Sequence, residues 1–302
     1  MLVWLNGRWL AAREARVSAL DRGLLHGDGV YDTWRTYDGR PFAVALHVRR
    51  LAAAARRLGL PSPGPPALWE RRSRLLAARN HLPDAAVRLT LTRGAAGETL
   101  VPERRRPPTL LLTVRALPTD LAARQRAGVC VVVLTFSRDV APAWGWLKLI
   151  GHPGAVLGRS IASRRRAAEA LYVNGTGDVT EATSANVFIC ERDALVTPPL
   201  SAGILPGVTR AIVLALARRS GLAVREAAIP LARLRRAREV FLTASTTEIL
   251  PVVRVDDRRV GDGQPGAITR LLQVRYARHV ASTMRSARSQ PSPPVARGAG
   301  LR

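Results

Sequence analysis

Alternating apolar and polar positions open the chain and predict two β-hairpins. The first turns at Asn6-Gly7, and the second, over residues 29–44, turns at Asp38-Gly39. Tight hairpin turns favour these dipeptides because both central residues adopt a positive φ. We therefore expect the N-terminal part to begin with antiparallel strands.

Helical spacing follows the second hairpin. Apolar residues on one face predict a helix from His47 to about Leu58, and the stretch PSPGPP breaks it. A second helix is expected at about 67–80, and two strands at 86–94 and 109–118. Strand periodicity then gives way to a polar stretch, which predicts a domain boundary near Pro118.

Closely spaced strand patterns dominate the second half. A strand at 129–136 and a helix from about 154 to 170 come first, and further strands are expected at 169–174, 178–183, 185–190 and 194–199. Strands so close together predict a mixed or antiparallel sheet rather than a doubly wound one. A helix beginning just after Pro206-Gly207, the strand segments EVFLTAS and ILPVVRVD, and a helix over 268–283 complete this half.

These elements predict an α/β (α+β) protein of two domains. Residues 1–118 form the predicted N-terminal α/β domain, and residues 119–284 form the predicted C-terminal domain. Residues 285–302 show no apolar period and are expected to be a disordered tail.

The composition is that of a globular protein. Apolar residues make up 47% of the 302 residues, and no apolar run approaches the roughly 20 residues that span a bilayer. The N-terminus lacks the basic start and the cleavage site of a secretory signal, so we expect a soluble, cytoplasmic protein. Cys130 and Cys190 are expected to be apolar residues of buried strands, and neither has a neighbour at metal-ligand spacing.

A formal net charge of +25 raises the question of nucleic-acid binding. The arginines are spread along the whole chain, and no zinc-knuckle, helix-turn-helix or aromatic-rich RNA-binding pattern accompanies them. Charge alone gives only sequence-independent attraction to nucleic acids. A basic nucleic-acid-binding protein is therefore only a remote alternative.

The chain contains a single lysine, Lys148, among 47 basic side chains. Arginine stands wherever a solvated positive charge is sufficient, so Lys148 is expected to do something that arginine cannot do. A guanidinium stays protonated, whereas a desolvated lysine amine can lose its proton and attack an aldehyde to form a Schiff base. The alternative is that Lys148 is a chance survivor of a coding bias.

A cofactor held in this way, if it carries a phosphate, needs an anion site. The helix start at residues 205–209 offers backbone amides and a hydroxyl, although ordinary helix capping by Thr209 explains the pattern equally well. The hydroxyl cluster at residues 243–247 could close the same site, or could be a common turn.

A pyridine ring on such a cofactor needs a carboxylate for its nitrogen. Glu181 lies between apolar strands, and carboxylates are rarely buried unless paired, although a strand glutamate is more often exposed. Arg50 on the first helix could supply a bidentate fork to the phosphate. Among 46 arginines, that choice is arbitrary on the sequence pattern alone.

Seven motifs occur in order along nearly the whole chain. They are DRGLLHGDGVYDT (21–33), HVRRL (47–51), VRLTLTRG (87–94), LKLIGHPGAVLG (147–158), GDVTEATSANVF (177–188), TPPLSAGILPGVTR (197–210) and REVFLTASTTEILPV (238–252). With these motifs, the chain resembles the class IV, fold-type IV pyridoxal-phosphate enzymes. This group includes D-amino-acid aminotransferases, branched-chain aminotransferases and aminodeoxychorismate lyases. So many ordered matches are far more specific than one short motif.

The resemblance implies pyridoxal 5'-phosphate as the cofactor, and the sequence itself gives no support for a metal. Lys148 would bind the cofactor covalently and shuttle a proton, and Glu181 would pair with the pyridine nitrogen. The residues implied in phosphate binding are Arg50, Val208, Thr209, Ser245 and Thr246. Tyr31 matches a position that faces the substrate.

The resemblance also implies a homodimer, with the active site at the domain boundary, that moves an amino group between a D- or branched-chain amino acid and a 2-keto acid. Pyruvate elimination from aminodeoxychorismate is the alternative. The residues after Lys148, Leu-Ile-Gly-His-Pro, depart from the family pattern, which leaves ring contacts there open. The arginine and histidine that bind the substrate carboxylate in D-specific relatives are also missing. Arg93 or one of residues 104–106 is the candidate substitute.

Overall fold

A computed structural model describes residues 1–103, 106–137, 146–192 and 194–286. Within them the strands are β1 (Leu2–Leu5), β2 (Arg8–Ala11), β3 (Gly29–Tyr37), β4 (Arg40–Pro41), β5 (Ala85–Thr92), β6 (Thr109–Ala116), β7 (Val129–Ser137), β8 (Glu169–Val173), β9 (Val179–Ala182), β10 (Asn186–Glu191), β11 (Ala194–Thr197), β12 (Ala223–Glu226), β13 (Glu239–Ala244), β14 (Glu248–Val255) and β15 (Arg258–Arg259). The α-helices are α1 (Arg22–His26), α2 (Val44–Arg57), α3 (Pro66–Arg79), α4 (Leu121–Ala127), α5 (Pro153–Arg164), α6 (Val208–Arg219), α7 (Leu231–Arg236) and α8 (Ala267–Ser286).

The first six strands form an antiparallel sheet with the order β2-β1-β6-β5-β3-β4. Both predicted hairpins are present, and their turn residues Asn6 and Asp38 have positive φ values of 47° and 49°. Helices α2 and α3 cover one face of the sheet, where Trp34, Trp69 and Leu89 are fully buried. This face forms the core of the N-terminal part.

The opposite face of this sheet forms one wall of a cavity. Successive side chains of a strand point to opposite faces, so the sequence neighbours of Trp34 and Leu89 face away from the core. The wall residues, aligned across β3, β5 and β6, are Tyr31, Thr33, Ala86, Arg88, Thr113 and Arg115. The strand register therefore brings side chains from three strands to one surface.

The other nine strands form a mixed sheet, as the closely spaced strand patterns predict. Its order is β12-β11-β10-β13-β14-β7-β8-β9, and β15 pairs with β14. The pairs β11–β12, β14–β7 and β7–β8 are parallel, and the other pairs are antiparallel. The boundary predicted near Pro118 lies between β6 of the first sheet and β7 of the second.

The helix expected over about 154–170 ends early, at Arg164. Arg166 has a positive φ of 54°, which a continuing helix does not allow. Glu169 then pairs with Val131 of β7, so the parallel sheet takes residues that helical spacing assigned to the helix. Tertiary pairing outweighs local periodicity at this point.

Three other expectations need correction, two at the ends of helices and one in the burial of a cysteine. Helix α2 begins at Val44 rather than His47, and α8 continues to Ser286, beyond the expected start of the tail. The rest of that tail, residues 287–302, lies outside the described residues. Cys190 is buried as expected, but Cys130 is only half-buried because its side of β7 faces a surface groove.

Across the described ranges, no helix has both the length and the apolar composition needed to cross a membrane. The same ranges contain no cluster of three or more His, Cys, Asp or Glu side chains placed to hold a metal ion.

Candidate active site

All eight side chains that the sequence places at the site line one cavity of about 760 Å³. They are Tyr31, Arg50, Lys148, Glu181, Val208, Thr209, Ser245 and Thr246. The cavity is bordered by both sheets. The fold therefore brings residues from distant parts of the chain to one place, and the role of each residue remains a prediction.

Lys148 lies where the second half of the chain pairs with β3. The backbone N–H of Tyr31 donates to the carbonyl of Lys148 (2.9 Å), and that of Ile150 donates to the carbonyl of Gly29 (3.1 Å). Glycine is required at position 29 because a Cβ would lie 2.7 Å from the carbonyl oxygen of Leu91. The Lys148 Nζ lies 4.8 Å from the centroid of the Tyr31 ring. The backbone from the Lys148 carbonyl to Ile150 is therefore paired with β3, while the lysine side chain borders the cavity.

The atypical segment after Lys148 also borders the cavity. Gly151 and His152 line it, and the His152 ring meets Tyr31 edge to face at 5.6 Å between centroids. Pro153 then begins α5, a favoured position for proline because the first helical N–H has no partner within the helix. This segment therefore shapes the wall around Tyr31 with an imidazole ring.

Glu181 on β9 is nearly buried, with 5% of its surface exposed. Its Oε2 accepts hydrogen bonds from the backbone N–H of Leu205 (3.0 Å) and from Nδ2 of Asn186 (3.3 Å). The same Nδ2 donates to the carbonyl of Leu205 (2.9 Å). Asn186, which the sequence analysis did not single out, thereby fixes the orientation of the carboxylate in the cavity.

The N-terminus of α6 places backbone N–H groups of its first turn at the cavity, an arrangement that suits an anion. Its cap is Gly207, which has no side chain, so capping by Thr209 is not what shapes this helix start. Amides of the first turn have no acceptor within a helix, and Val208 and Thr209 occupy that turn at the cavity. A Cβ on Gly207 would collide with Oδ1 of Asn186. The glycine thus lets the helix start pack against the side chain that holds Glu181.

Arg50 is anchored by a carboxylate that the sequence analysis missed. Its Nε and Nη2 donate to the two oxygens of Asp32 at 2.9 and 2.8 Å, and its Nη1 donates to the carbonyl of Pro206 at 2.8 Å. Asp32 is fully buried. Burial alone would raise the pKa of Asp32, but the charge of Arg50 and the hydrogen bonds from His47 and Arg50 outweigh it and hold the pKa well below its usual range.

His47 extends this network to the second half of the chain. Its Nδ1 lies 2.8 Å from Asp32, and its Nε2 lies 3.3 Å from Oγ of Ser245. Burial lowers the pKa of His47, against the opposing effect of Asp32. With Asp32 ionised, a neutral His47 donates from Nδ1 to Asp32 and accepts a hydrogen bond from the Ser245 hydroxyl at Nε2. The network therefore orients Ser245 as well as Arg50.

We expect Asp32→Asn to destabilise the protein by about 3 kcal/mol, because it leaves Arg50 without its buried anion. Since folding lowers the pKa of Asp32, its contribution is complete above about pH 4, the unfolded pKa, and is lost as pH falls further. Urea unfolding at pH 7 and pH 3 should thus show a smaller difference between variant and parent at pH 3. Asp84→Asn, an exposed change in the same sheet region, is the matched control. An Asp32→Asn variant as stable as the parent at pH 7 would contradict this account.

The turn between β13 and β14 carries the hydroxyl cluster of the sequence analysis. Glu248 fixes this turn, because its Oε1 accepts hydrogen bonds from the Tyr37 hydroxyl (2.6 Å) and from Nη1 of Arg35 (2.9 Å). On β13, Oγ1 of Thr243 is buried at the cavity and has no hydrogen-bond partner among the described residues. An unpaired buried hydroxyl is costly, and a polar ligand in the cavity would remove that cost.

The structure places other arginines at the cavity than the candidate substitutes. Arg93 binds Asp28 (2.7 Å) and does not line the cavity. Arg106 pairs with Glu103 away from it, and residues 104 and 105 lie outside the described residues. Among the described residues, the arginines that do line it, besides Arg50, are Arg88 and Arg115. Strand alternation alone could not have identified them, because it does not give the register of β5 and β6 relative to Tyr31.

This cavity combines a primary amine, an oriented buried carboxylate and a helix-start anion site. Arg50, Ser245 and the Thr243 hydroxyl, which has no hydrogen-bond partner among the described residues, border the same cavity. Such a set suits a phosphate-bearing aldehyde that reacts with the amine.

Comparison with known proteins identifies the family of the chain. The model of the family "Amino-transferase class IV" matches residues 29–255. A putative branched-chain-amino-acid aminotransferase of Methanocaldococcus jannaschii is 33% identical over 280 residues, which cover 91% of this chain and 95% of the relative. A D-alanine aminotransferase of Bacillus licheniformis is 31% identical over 280 residues, covering 90% and 95%.

Solved structures give the same result for the fold. A hypothetical aminotransferase from Mycobacterium tuberculosis, in its PLP-bound form, superposes with a TM-score of 0.82 at 25% identity, covering 94% of this chain and 100% of that one. The resemblance stated from the motifs and the fold-type IV prediction are thereby confirmed. The chain belongs to the class IV aminotransferase family.

Proposed function

We propose that this aminotransferase holds pyridoxal 5'-phosphate on Lys148 and uses it to move an amino group between an amino acid and a 2-keto acid. The observation that carries the proposal is the position of the sole lysine of the chain, in one cavity with Glu181 and the N-terminus of α6. The named relatives are aminotransferases, so neither pyruvate elimination nor nucleic-acid binding is favoured.

The residues present fit the cofactor. Its phosphate suits the amides of Val208 and Thr209, the remaining N–H groups of Arg50 and the hydroxyls of Ser245 and Thr246. Arg50 uses three of its five N–H donors on protein atoms, which leaves two for a ligand.

Bound pyridoxal 5'-phosphate supplies an aldehyde that takes up the amino group and a ring that stabilises negative charge at the reacting carbon. Lys148 provides the amine that holds this aldehyde between turnovers. During turnover its Nζ takes a proton from one carbon and returns it to another, which requires a side chain that moves on an anchored backbone.

Glu181 keeps the ring nitrogen protonated. Its carboxylate lies in a nearly buried position, where a charge acts strongly because little water screens it. The hydrogen bonds from Leu205 and Asn186 hold the carboxylate in place, so its orientation needs no adjustment during the reaction.

We expect the reaction with an amino donor alone to distinguish an aminotransferase from a lyase. An amino donor added without a keto acid should abolish the visible absorption of the covalently held cofactor, because the amino group stays on the enzyme as the pyridoxamine form. A following keto acid should restore the band. The measurement is the absorption spectrum before and after each addition, with D- and L-amino acids tried separately. A spectrum that returns to its start without a keto acid would instead indicate a lyase.

The proposal includes a cytoplasmic homodimer. The free thiols of Cys130 and Cys190 suit a reducing compartment. Large apolar side chains on α1 and α5 are exposed, among them Leu24 (71%) and Val156 (67%), and suit burial against a second copy.

A further inference from the structure

A buried carboxylate behind the cavity wall holds the turn that follows Glu181. Glu169, the first residue of β8, is only 4% exposed and does not line the cavity. Its Oε1 accepts a hydrogen bond from the Thr183 hydroxyl, and its Oε2 accepts one from the Ser184 hydroxyl (2.5 Å). Thr183 and Ser184 both border the cavity. A buried acid thus fixes two residues of the cavity wall from behind.

This turn connects the two residues that meet at the ring-nitrogen side of the cavity. Glu181 lies on β9 just before the turn, and Asn186 begins β10 just after it. The turn is closed by the backbone N–H of Ala182, which donates to the carbonyl of Ala185 (2.7 Å). The hydrogen bond from Asn186 to Glu181 is long, at 3.3 Å, and a bond of that length weakens quickly when its partners shift. The contact therefore depends on where the turn places its two ends.

Helix α5 packs against the same turn and contacts the same carboxylate. Nη1 of Arg159 lies 3.4 Å from Oε2 of Glu169. The close approach of the helix requires glycine at position 158, because a Cβ there would lie 2.7 Å from Cγ2 of Thr183. This helix begins directly after the segment that follows Lys148. Glu169 is thus the point at which β8, α5 and the turn after Glu181 meet.

The contacts of Glu169 require two accepting oxygens. Oε1 receives the backbone N–H of Ala170 (3.0 Å) as well as the Thr183 hydroxyl, and Oε2 faces the Ser184 hydroxyl and the Arg159 guanidinium. All four of these groups are donors. A glutamine has one accepting oxygen and one donating NH₂ group, so its NH₂ would face donors on one side or the other. A neutral side chain of the same shape therefore loses half of these contacts.

We propose that Glu169 is a positioning residue that acts through Glu181. By holding the turn between β9 and β10, it keeps Asn186 in contact with Glu181, so that the Glu181 carboxylate stays aimed at the ring nitrogen of the cofactor. This inference rests on the proposed function. Glu169 lies outside all seven sequence motifs, and only the packing of the turn assigns it this task.

The test is a double-mutant cycle on enzyme saturated with pyridoxal 5'-phosphate. Glu169→Gln should lower kcat by about 10-fold in the parent but by less than about 2-fold in the Glu181→Gln background, because no charge is then left to aim. Binding of pyridoxal 5'-phosphate to the apoenzyme, followed by its visible absorption, should weaken by about 3- to 10-fold in the parent background only. A role confined to folding would give the same factor in both backgrounds.

Ser184→Ala is a milder second variant, because Ser184 is exposed and its loss leaves the buried carboxylate in place. It should lower kcat by about 3-fold in the parent and leave kcat unchanged in the Glu181→Gln background. This variant keeps the inference testable should Glu169→Gln fail to fold. The same absorption titration and the same kcat assay apply to it.

Glu239→Gln is the matched control. Glu239 accepts hydrogen bonds from the backbone N–H groups of Ile268 (3.0 Å) and Thr269 (2.8 Å) and from the Thr269 hydroxyl (2.7 Å), and it does not line the cavity. Its replacement should lower the melting temperature, as Glu169→Gln does, but leave kcat and cofactor affinity at parental values.

The inference is overturned if Glu169→Gln and Ser184→Ala each act equally in both backgrounds, if neither variant has an effect, or if the control lowers cofactor affinity as much as Glu169→Gln does. Failure of the proposed function has a different signature. In that case the parent itself would neither take up pyridoxal 5'-phosphate covalently nor transfer an amino group.

Discussion

Replacing Lys148 with arginine should abolish covalent attachment of the cofactor and lower kcat by about 10⁴-fold or more. A guanidinium keeps the positive charge but remains protonated, so it neither attacks an aldehyde nor moves a proton between carbons. The anion site and Glu181 are left intact, so the variant should still bind the cofactor without a covalent bond. Absorption spectra and kcat of the purified variant measure both effects.

The matched control is the reverse substitution, an arginine replaced by lysine, at a position outside the cavity. Arg126→Lys adds a second lysine on the exposed face of α4, outside the cavity. It should leave both the spectrum and kcat unchanged, because the new amine lacks the anion site and the carboxylate. A Lys148→Arg variant that keeps more than about a tenth of the parental kcat would be incompatible with the assigned role.

Replacing Glu181 with glutamine should lower kcat by about 10²- to 10³-fold with the cofactor still bound. Glutamine has nearly the same shape and can still accept from Leu205, but it lacks the charge that keeps the ring nitrogen protonated. Glu181→Asp, which keeps the charge at a shorter reach, should lose less. The measurement is kcat at equal cofactor content, and a glutamine variant within about 3-fold of the parent would refute the role of the charge.

The sequence alone was enough to predict the two hairpins and to single out Lys148. Asn6 and Asp38 determine turns through the φ values that such turns need, without help from distant residues. Lys148 stands out because it is the sole lysine among 47 basic side chains, the others being arginine. Both inferences depend on chemistry within a few residues or on composition.

The hydrogen-bond network of Asp32, His47 and Arg50 could not be predicted from the sequence in the same way. Asp32 looks like any polar residue of an alternating strand, and its partners come from α2 and from Ser245, which lies 198 positions from His47. Only the packing of α2 on the sheet shows that Arg50, among 46 arginines, has a buried carboxylate to orient it.

Strand register explains why Arg88 and Arg115 were missed. Their proximity depends on which residue of β5 faces which residue of β6, and a shift by one residue would move Arg115 to the other face. Turn chemistry fixes register only in short hairpins, whereas a long connection joins these two strands. These two arginines of the cavity wall could therefore be identified only from the structure.

Borohydride reduction of the cofactor-loaded enzyme, followed by peptide mapping, tests the central claim most directly. Because the chain has one lysine, the account predicts a single labelled side chain, Lys148, together with loss of activity. Label on the N-terminal amine of Met1 instead, or an active enzyme that takes up no label at all, would contradict it.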